Sequence, residues 1–362
     1  MDTLDRIKSA SEGLPRISDL SNEKFYQLLP RLVQLVNEKF VIENKFCCGE
    51  PINENIQMLR DFHGGFGEVL SSVYRFRLYR ALVDEFLWLV STLSYRGFKK
   101  EYFEKMLNAW IMAIHGTIAP INSDELIQPL RFLVQHLDIF VNYWEISDRF
   151  ESDEQKGLLS LLLEKKRRDA MEYAVSFIEK GCSPYDVCHD ILMPVMKQIG
   201  VLWQKNKISV SDEHVASYIA KYIVFRLFDS IPRKSALPYS SLVSCVPGEE
   251  HVLGADIVAS HLEIEGWSVC FGGHSAPVED ILKIVTQSRP HVVFLSNTLI
   301  SKLPHSVELS KRLRKMTPQV KIIMGGHAAL VARDVIAQLV DAVIDDYRKA
   351  HFEAIEILEG NA

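Results

Sequence analysis

Five short apolar runs alternate with helical segments through the last third of the chain, and this alternation limits the folds that it can adopt. The predicted strands are 241–246, 268–271, 291–296, 320–324 and 342–344. The predicted helices are 253–265, 277–288, 304–315, 330–339 and 347–359. Strands as apolar as Val292-Val293-Phe294-Leu295 are typical of a parallel sheet that helices cover on both faces. We therefore expect an α/β domain over residues 236–362.

The preceding residues are predicted to be helical and to form two further domains. Apolar residues recur at helical spacing in residues 1–150, which predicts an all-helical bundle. A polar stretch at 147–154 marks the first boundary, and a Pro-containing linker at 232–238 marks the second. The helical segments predicted between them are 157–180, 184–202, 211–222 and a continuation to 231. The chain is thus predicted to be multidomain, with a four-helix domain at 151–235 between the bundle and the α/β domain.

Composition excludes several classes of protein. The net charge is −6 and no Lys/Arg cluster is long, which argues against direct nucleic-acid binding. The densest basic run, 164–168, is predicted to form the solvated face of a helix. The N-terminus lacks the apolar core of a signal peptide, and no apolar stretch reaches the length of a membrane span. Six cysteines without a CxxC pair, among them the adjacent Cys47 and Cys48, indicate a reducing, cytoplasmic setting.

Polar and small residues follow three of the predicted strands. They are Glu249, His251 and Gly254 after the first strand, Ser296, Thr298 and Leu299 after the third, and Gly325, Gly326 and His327 after the fourth. The carboxyl ends of parallel strands meet at one edge of a sheet, where open α/β folds bind ligands. An imidazole at that edge can coordinate a metal when a carboxylate holds its other ring nitrogen, and Glu249 is two residues from His251.

These motifs resemble the cobalamin-binding module, a flavodoxin-like, doubly wound fold that takes the corrinoid with its nucleotide tail displaced. That family's signature is an acidic residue-x-His-x-x-Gly, then Ser-x-Leu, then Gly-Gly. The chain matches the first and last parts, whereas Leu299 follows Ser296 by three positions rather than two. The resemblance implies that His251 is the lower axial ligand of cobalt and that Ser296 contacts the displaced base. The residues that it implies make room for the tail are Gly254, Gly325 and Gly326.

The four-helix domain carries a second pattern. Trp203, nine intervening residues and then Glu213-His214 resemble the helical cap of the light-sensing cobalamin repressors of carotenoid genes. In that family these three side chains close over the upper, alkyl face of adenosylcobalamin, which the resemblance therefore favours as the cofactor. The chain departs from the family in lacking a basic DNA-binding domain in residues 1–150. It also has Gln204 where some members carry a His that becomes an upper ligand, so we do not expect a bis-histidine adduct by that route.

Each of these side chains also has an ordinary structural interpretation. A His at a strand end is often a polar loop residue, and Trp203 alone would be core packing. Glu213 and His214 alone would be the solvated first turn of a helix. The shared order and spacing favour the cofactor interpretation. We place His327 at the rim of the pocket and Asp256 at a helix start, where the helix dipole favours a carboxylate.

The N-terminal bundle leaves two interpretations open. His63, His115 and His136 lie within or beside apolar helical segments, where a satisfied core or surface histidine is the ordinary state. The number of helices and the segment 110–116 resemble a globin-like sensor bundle, which would hold a second tetrapyrrole such as haem or biliverdin. The bundle could equally be a ligand-free partner or dimerisation domain.

The patterns together predict a cobalamin-dependent sensor. We expect a photoreceptor in which light cleaves the cobalt–carbon bond of adenosylcobalamin and the cap moves, signalling through the N-terminal domain. One alternative is a corrinoid carrier subunit for methyl transfer or for a radical mutase. Another is a haem or bilin sensor in the N-terminal domain that cobalamin modulates. We expect a signalling protein rather than an enzyme, acting as a homo-oligomer or with a partner protein, without membrane association.

Overall fold

The chain forms two compact units. The computed structural model describes residues 3–44, 56–146 and 152–360. The first unit is Met1–Ile146 with Gln204–Asn206, and the second is Ser147–Trp203 with Lys207–Ala362. Part of the predicted boundary at 147–154, and both Cys47 and Cys48, lie outside the described residues. Within the described residues, none of the helices combines the length and the apolar character that crossing a membrane requires.

The first unit is all-helical in its described residues, as predicted. Its helices are α1 (Thr3–Ser11), α2 (Asp19–Asn44), α3 (Ile56–Phe76), α4 (Tyr79–Ser94), α5 (Lys100–Thr117), α6 (Pro120–Leu126), α7 (Gln128–Gln135) and α8 (Leu137–Asn142). The core is built around Trp110, which is fully buried with its ring 6.3 Å from Phe25 and 6.2 Å from Phe66. Gly67 lets the helices approach here, because a Cβ at this position would lie 2.7 Å from the Trp110 ring. The globin-like arrangement stays a prediction.

The second unit begins with the predicted helical cap. Its helices are α9 (Asp153–Leu163), α10 (Arg167–Glu179), α11 (Pro184–Asp186), a π-helical segment (Val187–Leu192), α12 (Met193–Gln204) and α13 (Val210–Asp229). The single helix predicted over 157–180 is wrong, because the chain turns between α9 and α10. Lys165 has a φ of 58°, and its amide bonds back to the Leu162 carbonyl. The basic run 164–168 therefore forms this turn and the start of α10, and is not one face of a helix.

The rest of the second unit is a five-stranded parallel sheet in the order β2-β1-β3-β4-β5, which is the flavodoxin-like order. The strands are β1 (Ser240–Cys245), β2 (Ser268–Gly273), β3 (Val292–Ser296), β4 (Lys321–Gly325) and β5 (Ala342–Val343). The α-helices are α14 (Leu253–Ile264), α15 (Val278–Ser288), α16 (Leu303–Met316), α17 (His327–Val331), α18 (Arg333–Ile336) and α19 (Ala350–Glu359). Helix α14 packs with α19, and α15 packs with α16. The predicted parallel sheet and doubly wound class are confirmed.

The helix predicted over 330–339 is also wrong, because it is two short helices that start three residues earlier. Ala332 interrupts them with φ −101° and ψ 27°. The bend buries Ala329 before it and Ile336 after it. Packing of these two side chains thus determines the path of the backbone here. The apolar pattern alone predicts a single helix.

Candidate functional site

The sheet register brings the three predicted strand ends to one level. Cys245 at the end of β1 is opposite Ser296 at the end of β3, and Ser296 is opposite Gly325 at the end of β4. The loops that follow these residues therefore leave the sheet side by side. The Val246 amide donates to the Ser296 carbonyl at 3.0 Å and the Asn297 amide to the Gly325 carbonyl at 2.9 Å, which ties the first turn of each loop to its neighbour.

Glu249 connects two of these loops through a carboxylate with no exposed surface. Its Oε1 accepts hydrogen bonds from the His251 amide at 3.0 Å and from the His251 Nδ1 at 2.6 Å. Its Oε2 accepts from the amides of Thr298 and Leu299 at 2.8 and 2.9 Å. Burial would raise the pKa of Glu249, but these hydrogen bonds outweigh burial and lower it to about 2. The carboxylate is therefore charged and fixes the position of His251.

The His251 imidazole is oriented for coordination. Its Nδ1 is occupied by Glu249, and its side chain is 58% exposed. With Nδ1 carrying the proton, Nε2 keeps its lone pair and can bind a metal. The hydrogen bond to Glu249 raises the pKa of His251 against the opposing effect of burial, and the negative charges of Glu249, Glu213 and Glu250 add to the increase. His251 can therefore offer Nε2 to a metal.

The three predicted glycines differ in what surrounds them. A Cβ added to Gly254 would meet nothing within 4 Å, so this turn of α14 borders open space. Gly326 has a φ of 98°, and a Cβ there would lie 2.3 Å from the Asn297 carbonyl oxygen. A Cβ at Gly325 would be 3.3 Å from the Ile344 side chain. Gly254 borders room for a ligand, whereas the chain's own backbone and packing already require Gly326 and restrict position 325.

The remaining predicted site residues lie at the end of β3, in the segment that follows it, and at the start of α17. His327, the first residue of α17, is exposed and Leu299 is 37% exposed, while Ser296 and Thr298 are partly buried. The sequence predicts Thr298 and Leu299 at the ligand-binding edge of the sheet, but it does not predict that their amides bind Glu249. These amides belong to the segment in which Leu299 follows Ser296 by three positions, the spacing that departs from the Ser-x-Leu pattern.

The cap contributes Glu213 and His214 from the first turn of α13. Ser209 caps this helix, accepting a hydrogen bond from the Asp212 amide while the Asp212 carboxylate accepts one from the Ser209 amide. The Glu213 carboxylate accepts from the Ser217 hydroxyl at 2.7 Å and lies 3.6 Å from the His214 Nε2. The negative charge of Glu213 contributes to raising the pKa of His251, and α13 packs with α14, the helix that follows His251. Trp203, in the last turn of α12, is partly buried.

The histidines of the first unit already have hydrogen-bond partners within the protein. His63 is buried, its Nδ1 lying 2.7 Å from the Asn37 Oδ1 and its Nε2 2.9 Å from the Tyr102 hydroxyl. Burial lowers the pKa of His63 to about 4. His115 pairs with the Ser123 hydroxyl and His136 with the Phe132 carbonyl. All three histidines are therefore in the satisfied core or surface state that is ordinary for such residues.

A cavity of about 600 Å³ lies at the surface of the first unit. Its apolar walls come from α2 and include Val33 and Ile42, and Arg60 of α3 supplies a positive charge. Asn37, which holds His63, also lines it. The volume is in the range of small-molecule sites.

Comparison with protein families assigns both halves of the second unit. Residues 239–356 match a family model described as a B12 binding domain, and residues 154–227 match a second model with the same description. The two matches cover the sheet domain with its edge loops and most of the cap.

Similar proteins include both transcriptional repressors and corrinoid proteins. An HTH-type transcriptional repressor, CarA of Myxococcus xanthus, is 29% identical over 144 residues, which are 39% of this chain and 47% of the repressor. The chain thus spans about half the length of this curated relative. Dimethylamine corrinoid protein 1 of Methanosarcina acetivorans is 24% identical over 170 residues, 46% of this chain and 80% of that protein. A solved structure of the Methanosarcina barkeri monomethylamine corrinoid protein aligns at a TM-score of 0.49 and 15% identity, covering 57% of this chain and 98% of that one.

Proposed function

We propose that this B12-binding chain is a cobalamin-dependent sensor in which His251 is the lower axial ligand of cobalt. The observation that carries the proposal is the buried Glu249, which accepts a hydrogen bond from the Nδ1–H of His251 and leaves Nε2 for a metal. Open space at Gly254 supports the entry of a ligand beside this loop. The packing of α13 with α14, the helix that follows His251, supports a cofactor held between the His251 loop and the cap.

The cap residues would make the site responsive. An alkylcobalamin supplies a weak cobalt–carbon bond that breaks when it absorbs visible light. Trp203, Glu213 and His214 would pack over the alkyl group, and its loss would leave these side chains without their contact. Helix α13 would then shift along α14, which it contacts, and the N-terminal unit would respond to that displacement as one side of a two-state change. Adenosylcobalamin is the form that fits this use.

A corrinoid carrier for methyl transfer is the second candidate, because the dimethylamine corrinoid protein shares 170 aligned residues with this chain. A carrier must expose the upper face of its cofactor to a partner enzyme, so Trp203, Glu213 and His214 would have to leave it. This function would be favoured over the sensor if the cobalamin-loaded chain accepted a methyl group from a partner methyltransferase. Replacing the cap residues should then leave the methyl transfer unchanged.

A second tetrapyrrole in the N-terminal unit is a separate proposal. Ligation of haem iron through Nε2 of His63, a buried side chain, would require breaking its hydrogen bond with the Tyr102 hydroxyl, so His63 is not the residue that we would assign to iron. A bilin would need the cavity between α2 and α3, where Arg60 could pair with a propionate. Absorbance after addition of biliverdin or haem to the full chain tests this, and an unchanged free-pigment spectrum would exclude it.

The axial ligand is tested by loading the full chain with hydroxocobalamin and recording its absorption spectrum. We expect the wild-type spectrum to show a histidine-ligated, base-off corrinoid and His251→Ala to lose that form. His291→Ala is the matched control, because His291 contacts the Ser240 amide at the opposite edge of the sheet. Identical spectra for wild type and His251→Ala would refute the assignment.

A further inference from the structure

The structure contains a buried carboxylate beside the site that the protein itself does not satisfy. Asp256, in the first turn of α14, is 1% exposed, and neither of its carboxylate oxygens has a hydrogen-bond partner among the described residues. The nearest cation is the Lys221 Nζ of α13, 3.5 Å from Oδ2. Buried polar groups are almost always hydrogen-bonded, so two orphan acceptors on one side chain require an explanation.

A purely structural role explains this carboxylate poorly. The favourable interaction with the α14 dipole is available to an exposed Asp as well, and it does not require burial. Burial raises the pKa of Asp256, while Lys221 and His274 act in the opposite direction. An ion pair at 3.5 Å, with only Lys221 of the described residues beside the carboxylate, does not recover the cost of burying Asp256. Replacing Asp256 by an apolar residue should therefore cost the cofactor-free fold little.

Asp256 lies next to the elements that surround His251. It follows His251 by five residues, and Lys221 belongs to the helix that carries Glu213 two turns earlier. The charges of Glu249 and Asp256 add to burial in raising the pKa of the Cys245 thiol, at the end of β1, to about 12. The orphan oxygens therefore lie where α13 of the cap packs against α14, the helix that begins two residues after His251.

Cobalamin supplies the matching groups, because its corrin ring carries primary amides around the rim and each amide has two N–H donors. We propose that Asp256 accepts a hydrogen bond from one of these amides and that Lys221 remains beside it as the counter-charge. This inference rests on the proposed binding of cobalamin above His251. It makes Asp256 a binding residue for the corrin rim, separate from the axial ligand.

Two corrinoids without the nucleotide tail distinguish loss of the Asp256–amide hydrogen bond from a general effect of the substitution on the fold. Diaquacobinamide keeps the rim amides, whereas aqua heptamethyl cobyrinate carries methyl esters without N–H donors. Absorbance titration of the full chain should show that Asp256→Leu weakens cobinamide binding about tenfold, as for loss of a charge-assisted hydrogen bond. The heptaester should bind wild type and Asp256→Leu within about twofold of each other. Asp256→Asn, which keeps one acceptor, should recover most of the cobinamide affinity.

The outcomes distinguish the inference from the proposed function. Equal cobinamide affinity in wild type and Asp256→Leu would overturn the inference, as would Asp256→Asn binding as weakly as Asp256→Leu. Equal weakening of both corrinoids would assign Asp256 to packing or to an ordered water instead. Thermal unfolding of the cofactor-free variants, expected to match wild type or exceed it, verifies that they fold. Failure of wild type to bind cobalamin itself would instead refute the proposed function.

Discussion

At the scale of single residues, Glu249 is the group on which the site most depends. Its two oxygens accept four hydrogen bonds from three residues of two loops. Such a carboxylate both orients His251 and joins the β1 and β3 loops. Removing its charge should therefore change ligation and stability together.

Glu249→Gln tests this in the cofactor-free protein. The pKa of Glu249 is about 2 in the folded chain against an ordinary 4.5, so its ionised form stabilises the fold above pH 4.5 and that contribution is lost as the pH falls towards 2. The shift corresponds to a contribution of up to about 3 kcal/mol. The difference in unfolding free energy between wild type and Glu249→Gln, from urea titrations, should be largest above pH 4.5 and shrink below it.

A suitable control is Glu279→Gln, because Glu279 is 73% exposed and pairs with Arg312 at the surface, where ion pairs contribute little. A difference between wild type and Glu249→Gln that stays constant from pH 5 to pH 2 would contradict the assigned charge of Glu249.

At the scale of elements, the sequence pattern located all five strands and the first three helices between them, because burial on both faces leaves a clear apolar run. It could not locate the turn at Lys165 or the bend at Ala332, which depend on packing between segments distant from each other. The hydrogen bond from the Thr298 amide and the burial of Asp256 could not be predicted from the sequence either. Main-chain contacts and burial between helices leave no signal in the residue types.

The edge glycines yield a prediction at this scale. Gly326→Ala would force a positive φ on alanine and bring its Cβ against the Asn297 carbonyl, so we expect a loss of about 2 kcal/mol or more of unfolding free energy. Gly254→Ala points into open space and should leave the cofactor-free protein as stable as wild type or slightly more stable. Chemical denaturation measures both, and equal losses for the two variants would contradict these surroundings.

The N-cap residue of helix α13 yields a second prediction at this scale. Ser209→Ala removes the N-cap and should cost about 1 kcal/mol, fraying the turn that carries Glu213 and His214. We expect weaker adenosylcobalamin binding, by about threefold or more. Ser183→Ala is a matched control because Ser183 forms the same kind of capping box at the start of α11. Similar affinity losses for both variants would show that the α13 turn has no special part in binding.

At the scale of the whole molecule, both halves of the candidate site belong to the second unit, while the first has a core of its own. A ligand that binds only the folded second unit should stabilise that unit by mass action, by about 2.7 kcal/mol at a hundredfold excess over Kd. Calorimetry of the full chain should show cobalamin raising the transition of the second unit. A smaller rise is expected for His251→Ala, and an equal rise would contradict axial ligation.

A light response through cobalamin is tested with the full chain loaded with adenosylcobalamin in the dark. Absorption spectra and light scattering are recorded before and after green illumination. We expect loss of the alkylcobalamin spectrum on illumination and a simultaneous change in molecular size or mass. Trp203→Ala should keep the spectral change but lose the change in size or mass. A photolysed cofactor in a wild-type protein of unaltered size and mass, or a spectrum that green light leaves unchanged, would contradict the proposed sensor.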